Sequence, residues 1–214
     1  MIIRRATEMF PLYLPEPKQP RSPGLHVSNI IRCIATEAGI LKPEWVDELS
    51  LVDMRTITDP TAILRINIGL AWESHYIPML SDVIDHPGEM SVDGCYMTHD
   101  GESISTVMSA SGPLVTLAVH EIKATYKSIK TVGDLEKQFM WLCQMKAYCK
   151  GLGTRFAYLH VLFICGDYKF PITPRLEVWA VEFTQLEIDD NWDLLMDYKR
   201  NALKESVIIT PEIK

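Results

Sequence analysis

The sequence predicts an α/β fold in which a central mixed β-sheet is flanked by helices, and three observations carry that prediction. Apolar residues recur at helical spacing in two stretches ahead of residue 84. From Ser91 to Ala124 the period shortens to two, the alternation of strands. A helical stretch from Thr131 to Lys150 then separates those strands from an apolar run, Phe156 to Cys165. Helix, three strands, helix, strand, strand is the order of a layered α/β fold with a mixed sheet.

Each element has its own local signal. Residues 1–24 carry Pro11, Pro15, Pro17, Pro20 and Pro23 and read as an extended arm, which leaves residues 25–214 as a single domain. Ser28 is an N-cap for a helix with Ile30, Ile31 and Ile34 on one face, ending at Gly39. A short second helix begins at Pro43, with proline in its first turn. A longer one covers Pro60 to Val83, placing Ile63, Ile66, Leu70 and Glu73 near one face, with Pro78 kinking or ending it. Ser91 to Met97 follows as a strand, His99-Asp100-Gly101 as a turn and Ser103 to Met108 as the return strand. Ser109 to Pro113 is a loop, and Leu114 to Ala124 the third strand. The helix from Thr131 to Lys150 is closed by Gly151 and Gly153. Phe156 to Cys165 is a buried strand, Leu176 to Phe183 another, and a terminal helix covers Trp192 to Leu203.

With 214 residues, 47% of them hydrophobic, the chain can bury a full core. No apolar run is long enough to cross a bilayer, and the N-terminus lacks the layout of a signal peptide, so a cytoplasmic protein without a membrane partner is expected. Cys33, Cys95, Cys143, Cys149 and Cys165 are scattered without CxxC spacing and read as free, mostly buried thiols. The net charge of −7 argues against a protein that coats nucleic acid generally, but it is unevenly spread. Between Glu121 and Arg155 seven bases face three acids, and in residues 1–32 five face two, whereas from Leu176 onward nine acids face four bases. A basic strip on an acidic body suits a polyanion docking at one place, with Lys127, Lys137 and Lys146 as contacts. The alternative is a solvated, lysine-bearing helix face.

Candidate chemistry centres on Glu121-Ile122-Lys123, in an apolar strand where alternation puts the carboxylate and the ammonium on one face. Alone, the two would read as a cross-strand ion pair, but an apolar setting demands a partner or a metal for a buried charge. Glu73 stands four residues after Gly69, a glycine that would let the helix approach another element. Asp93-Gly94 sits at a strand-to-bend position; Asp100 and Glu102 are its rivals, with Asp100-Gly101 read as a hairpin turn. Glu89, beside Pro87-Gly88, is a weaker rival to Glu73. Gln144 and Tyr148 share a helix face at i and i+4, and the alternative for them is a helix-face hydrogen bond and a half-buried aromatic. His120 faces away from Glu121 and reads as a core histidine, while His26, His75 and His160 show no pairing at metal spacing. Trp72, Trp141 and Trp179 read as core.

In their order, Gly69-x-x-x-Glu73, Asp93-Gly94, Glu121-Ile-Lys123 and Gln144-Met-Lys-Ala-Tyr148 make the chain resemble the PD-(D/E)XK nuclease superfamily, in its RecB-like and lambda-exonuclease-like branch. The resemblance covers roughly residues 26 to 165. It implies a restriction-endonuclease-like core of αβββαβ order and a metal-dependent deoxyribonuclease that hydrolyses phosphodiester bonds. Phosphodiester hydrolysis needs charge neutralised on the phosphate and an oxygen nucleophile at neutral pH, and Mg²⁺ or Mn²⁺ held by oxygen ligands supplies both. On this basis Asp93 and Glu121 are the central ligands, the backbone carbonyl of Ile122 is a third, and Glu73 completes the shell or holds a second ion. Lys123 orients the attacking water and stabilises developing charge, and Gln144 and Tyr148 position the water or the DNA backbone. All-oxygen ligation disfavours zinc. Relatives with an iron–sulfur cluster carry three clustered cysteines after the core; only Cys165 follows the Gln-x-x-x-Tyr helix here, so no cluster is expected. The chain lacks the Gly-x-x-x-x-Gly-Lys phosphate loop, so any helicase motor would be a separate protein. DNA is the expected partner, with a helicase or single-strand annealing protein beside it and a homo-oligomer as the assembly. An exonuclease of recombination or repair, in a phage or mobile-element setting, is the expected activity. A site- or structure-specific endonuclease and a catalytically inactive nucleic-acid-binding module are the alternatives.

Overall fold

The structure, a computed structural model, describes residues 22, 24–41, 59–85, 87–109, 112–132 and 134–208. Most of the expected proline arm and the whole expected helix at Pro43 lie outside these residues. Strand β1 (Leu25–His26) runs directly into helix α1 (Val27–Glu37), which buries Val27, Ile30, Ile31 and Ala35. His26, not Ser28, is the residue before its first turn. Helix α2 (Pro60–Tyr76) starts where its sequence dictates: the Asp59 carboxylate accepts from Ala62 N at 2.8 Å, and Pro60 occupies the first turn. It stops at Tyr76, and Pro78 lies in a single 3₁₀ turn, Ile77–Met79.

The strands that follow belong to two sheets. The expected strand Ser91–Met97 is a tight hairpin of β3 (Met90–Val92) and β4 (Cys95–Met97). Asp93 (φ 49°) and Gly94 (φ 69°) form its turn, both in the left-handed region that two-residue hairpin turns require. With β1 parallel to β4, these strands make a three-stranded sheet. The central sheet has the order β2-β5-β6-β7-β8, built from β2 (Ile84–Asp85), β5 (Gly101–Ser109), β6 (Gly112–Thr125), β7 (Phe156–Phe163) and β8 (Arg175–Glu182). All its pairings are antiparallel except β6–β7, whose parallel pairing needs a crossover. That crossover holds α3 (Ile129–Val132), a 3₁₀ turn at Leu135–Lys137 and α4 (Phe139–Leu152), where the sequence predicts one helix from Thr131 to Lys150. Gly153, at φ 65°, ends α4. Helix α5 (Gln185–Ile208) is longer than the predicted Trp192–Leu203.

Helices cover both faces of the central sheet, giving the mixed α/β architecture that the sequence predicts. Val119, Leu159, Val161 and Phe163 pack against α1, α4 and α5 through Ile30, Ile31, Met145, Ile188 and Leu195. On the other face Ile122 packs against Tyr76, Ile77 and Trp72 at the end of α2. No helix among the described residues is long and apolar enough to cross a membrane.

Close backbone approach occurs at Gly101 and not at Gly69. A Cβ on Gly69 would meet nothing within 4 Å, so that glycine does not bring α2 against a neighbour. A Cβ on Gly101 would lie 2.8 Å from Val83 Cγ1 and 3.3 Å from the Ile84 carbonyl oxygen of β2. Gly101→Ala is therefore expected to push β2 off β5 and lower stability by about 1–3 kcal/mol, as read by urea unfolding.

Candidate active site

Alternation along β6 sends Val119, Glu121 and Lys123 toward α4, and His120 and Ile122 toward α2. The β5–β6 hairpin pairs Gly101 with His120, so Asp100, one residue before β5, stands opposite Glu121. The Asp100 carboxylate accepts from Ile122 N at 2.7 Å, which fixes it against β6. From there the Asp100 charge acts on Glu121.

Glu121 is fully buried. One of its oxygens accepts from Lys123 Nζ, and the other, Oε2, has no hydrogen-bond partner among the described residues. Burial pushes the Glu121 carboxyl up, to about 8; Asp100 and Glu73 add to the push, while Lys123 pulls it down. Around Lys123 burial opposes the charged form, but Glu121, Asp100 and Glu73 outweigh it and raise the ammonium. The side chain of Lys123 keeps 24% of its surface exposed, whereas that of Glu121 keeps none.

This donor set fits a hard cation. A buried carboxylate oxygen without a partner, with the charges of Asp100 and Glu73 acting on it, is a costly arrangement that a divalent ion would relieve. Its carboxylate oxygens are the ligands Mg²⁺ and Mn²⁺ prefer. Among the described residues no three or more histidine, cysteine, aspartate or glutamate side chains form a ready-made cage; the Lys123 ammonium lies against Glu121 instead.

Asp93 is not part of this group. It occupies the β3–β4 turn, its carboxylate accepting from Trp192 Nε1 at 2.8 Å and its carbonyl from Lys199 Nζ at 2.6 Å, both on α5. The acidic charges acting most strongly on Glu121 and Lys123 are instead those near β6, Asp100 and Glu73. The chain has two Asp-Gly pairs, and their expected places are exchanged: Asp93-Gly94 makes a hairpin turn, and Asp100-Gly101 leads into the strand beside Glu121. Register carries the missed signal, since a hairpin closing Ser109 on Gly112 puts Asp100 across from Glu121.

Other predicted residues fall as follows. Glu73, near the end of α2, is close enough for its charge to act on both Glu121 and Lys123. Gln144 Nε2 donates to Tyr148 OH at 2.6 Å on α4. The buried Tyr148 ring lies 5.9 Å from that of His99, whose Nε2 is 3.1 Å from a Glu102 oxygen, so α4 meets the segment flanking Asp100. The sequence reading missed His99 because a buried histidine in a polar turn has no distinguishing spacing. Glu89 accepts from Ser22 N at 3.1 Å, beside His26 and not beside Glu121. Lys127 reaches Gln138 at 3.4 Å, Lys137 pairs with Asp134 at 2.6 Å, and Lys146 lies over the Phe183 ring at 5.5 Å. All five cysteines are free, and burial pushes the Cys143 and Cys149 thiols up to about 11 and 12, which makes them poor nucleophiles.

No protein-family model matches the chain, and no curated protein matches it by sequence. Among solved structures it is similar to an alkaline exonuclease from Laribacter hongkongensis, at 15% identity and a TM-score of 0.54, over 85% of this chain and 89% of that one. The complex of that exonuclease with dAMP is similar at 16% identity and a TM-score of 0.53, over the same shares. A phage-related exonuclease from Haemophilus somnus 129PT is similar at 11% identity and a TM-score of 0.50, over 87% of this chain and 97% of that one. At these identities the likeness is one of fold: the chain shares the mixed α/β architecture of these exonucleases, as its resemblance to the PD-(D/E)XK superfamily implies.

Proposed function

We propose that this protein is a divalent-metal-dependent deoxyribonuclease whose centre is Asp100, Glu121 and Lys123, with Glu73 beside them. One observation carries the reading: Asp100 stands across from Glu121, which is fully buried with Lys123 on one oxygen and no hydrogen-bond partner on the other. Asp100, Glu121 and the carbonyl of Ile122 would hold Mg²⁺ or Mn²⁺, with Glu73 completing the shell. When bound, such an ion neutralises charge on the scissile phosphate and lowers the pKa of water. Lys123 stays charged, on a side chain that is partly exposed, and would donate to the oxygen on which charge develops. Gln144 holds the Tyr148 hydroxyl, and the two orient the phosphate backbone or the attacking water beside the segment of Asp100. Lys127, Lys137 and Lys146 are the DNA contacts of this reading. That the similar folds are exonucleases favours an end-dependent reaction, and the place in recombination or repair is what the superfamily resemblance implies.

The test is digestion of end-labelled linear DNA and covalently closed circles with Mg²⁺, Mn²⁺ or EDTA, beside Glu121→Ala and Lys123→Ala. Cleavage of linear DNA only, dependent on metal and reduced at least about a hundredfold in both variants, is the expected result. Cutting of the circle would replace the exonuclease with an endonuclease, and no cleavage by the folded wild-type protein would overturn the proposal.

A further inference from the structure

On the sheet face turned away from Glu121, four buried side chains form a hydrogen-bonded chain that the proposed chemistry does not use. Tyr76 OH lies 3.1 Å from His160 Nδ1, His160 Nε2 lies 3.0 Å from His120 Nδ1, and His120 Nε2 lies 2.8 Å from Ser103 Oγ. Ser103 Oγ continues to Ser105 Oγ at 2.7 Å. Both imidazoles engage both ring nitrogens, and a neutral imidazole donates at one and accepts at the other. The donors must therefore all point one way, from Tyr76 toward Ser105 or the reverse. Either way every buried ring nitrogen is satisfied, and loss of one member strands its neighbour.

The chain's route relates it to the acidic cluster. Tyr76 is three residues after Glu73, so the two lie near one face of α2. His120 immediately precedes Glu121 on β6, and Ser103 follows Asp100 by three residues at the start of β5. His160 sits on β7 opposite Ile122, the residue between Glu121 and Lys123. Elements bearing all three carboxylates are thus joined through one set of hydrogen bonds. Elsewhere α2 buries Ala62 and Ile63 and lays Arg65 over the Tyr126 ring at 5.8 Å, while its contact with Ile122 is apolar, a contact without directional preference. The Tyr76 hydroxyl supplies direction, its ring stacked on Trp72 at 4.7 Å.

We propose that Tyr76, His160, His120 and Ser103 are positioning residues that hold Glu73 on α2 in register with Glu121 and Asp100 on the sheet. This rests on the nuclease reading of the cluster. Tyr76→Phe removes one hydroxyl and leaves the ring on Trp72. The measurements are Mn²⁺ binding to the metal-free protein by calorimetry, and steady-state cleavage of linear DNA. Mn²⁺ affinity and kcat should each fall about tenfold, with KM for DNA unchanged within about twofold. Ser103→Ala, at the far end, should move both in the same direction. Ile31→Val, a core change in α1 on the other face of the sheet, controls for stability and should leave both unchanged. Wild-type Mn²⁺ affinity and kcat in folded Tyr76→Phe, or an equal loss in Ile31→Val, would overturn the proposal. If wild-type protein binds Mn²⁺ but cuts no DNA, the nuclease reading fails while the binding comparison still decides the positioning role. No Mn²⁺ binding by the wild type would overturn both.

Discussion

Asp100→Asn is expected to reduce cleavage of linear DNA by about a hundredfold to a thousandfold, while Asp93→Asn cuts at the wild-type rate. The two substitutions are isosteric, and their surroundings set them apart. At position 100 the amide oxygen can still accept from Ile122 N, so the strand pairing survives. The negative charge facing Glu121 is lost, and with it a cation ligand in the proposed site. At position 93 asparagine suits the left-handed turn before Gly94 as well as aspartate does, and its side-chain oxygen can still accept from Trp192 Nε1. Stability should change there by less than about 0.5 kcal/mol. Steady-state kinetics on both purified variants would decide it. Activity lost in Asp93→Asn and kept in Asp100→Asn would return the ligand role to the β3–β4 turn.

The second large effect is a stability maximum near pH 6.5 in the metal-free protein. His120 and His160 are both held down from 6.5 to about 4, by burial in each case, with the charges of His160 and His99 adding to the effect at His120. Below pH 6.5 the unfolded chain takes up protons at both histidines that the native protein refuses, so stability falls with falling pH. Glu121 acts in the opposite sense: raised from 4.5 to about 8, it holds a proton in the native state that the unfolded chain has released. Stability therefore also falls as pH rises from 6.5 to 8. On the acid side the two histidines outweigh the one carboxyl, and on the alkaline side the carboxyl outweighs the last protons leaving the unfolded histidines. Each limb is then worth about 1 kcal/mol over 1.5 pH units. Urea unfolding in EDTA at pH 5, 6.5 and 8 would show the dome, and Glu121→Gln should flatten its alkaline limb. Stability that stays level or rises from pH 6.5 to 8 would refute the Glu121 contribution.

What the sequence disclosed was whatever is encoded within a few residues. Pro60 starts α2 and Pro78 lies just past its end, Gly153 closes α4, and strand alternation puts Glu121 and Lys123 on one face. The three-residue strands β3 and β4 are too short to show a period, so their hairpin reads as one strand and its turn residue Asp93 as a site residue. Asp100 stood as a rival to Asp93 and read as a turn residue, because turn chemistry explains an Asp-Gly pair equally well at either place and only strand register separates the two. The pairing of His120 with His160 had no local trace, because the two are 40 residues apart and meet through the parallel register of β6 and β7. The wrong glycine, Gly69, drew notice for a related reason: close approach depends on what lies opposite, which for Gly101 is β2.

The buried carboxylate of Glu121 also bears on the history of the chain. A glutamate codon becomes one for glutamine or valine by a single base change, and either residue would remove a buried ionisable group whose charged form burial and two neighbouring acids oppose. Random substitution under selection for folding alone tends to discard such a residue, because most proteins sit close above the stability they need. A lineage reduced to passive DNA binding would be free to lose it and to replace Lys123 in turn. In the nuclease reading proposed above, it is the chemistry of the cluster that keeps Glu121, Lys123 and Asp100 together against this cost.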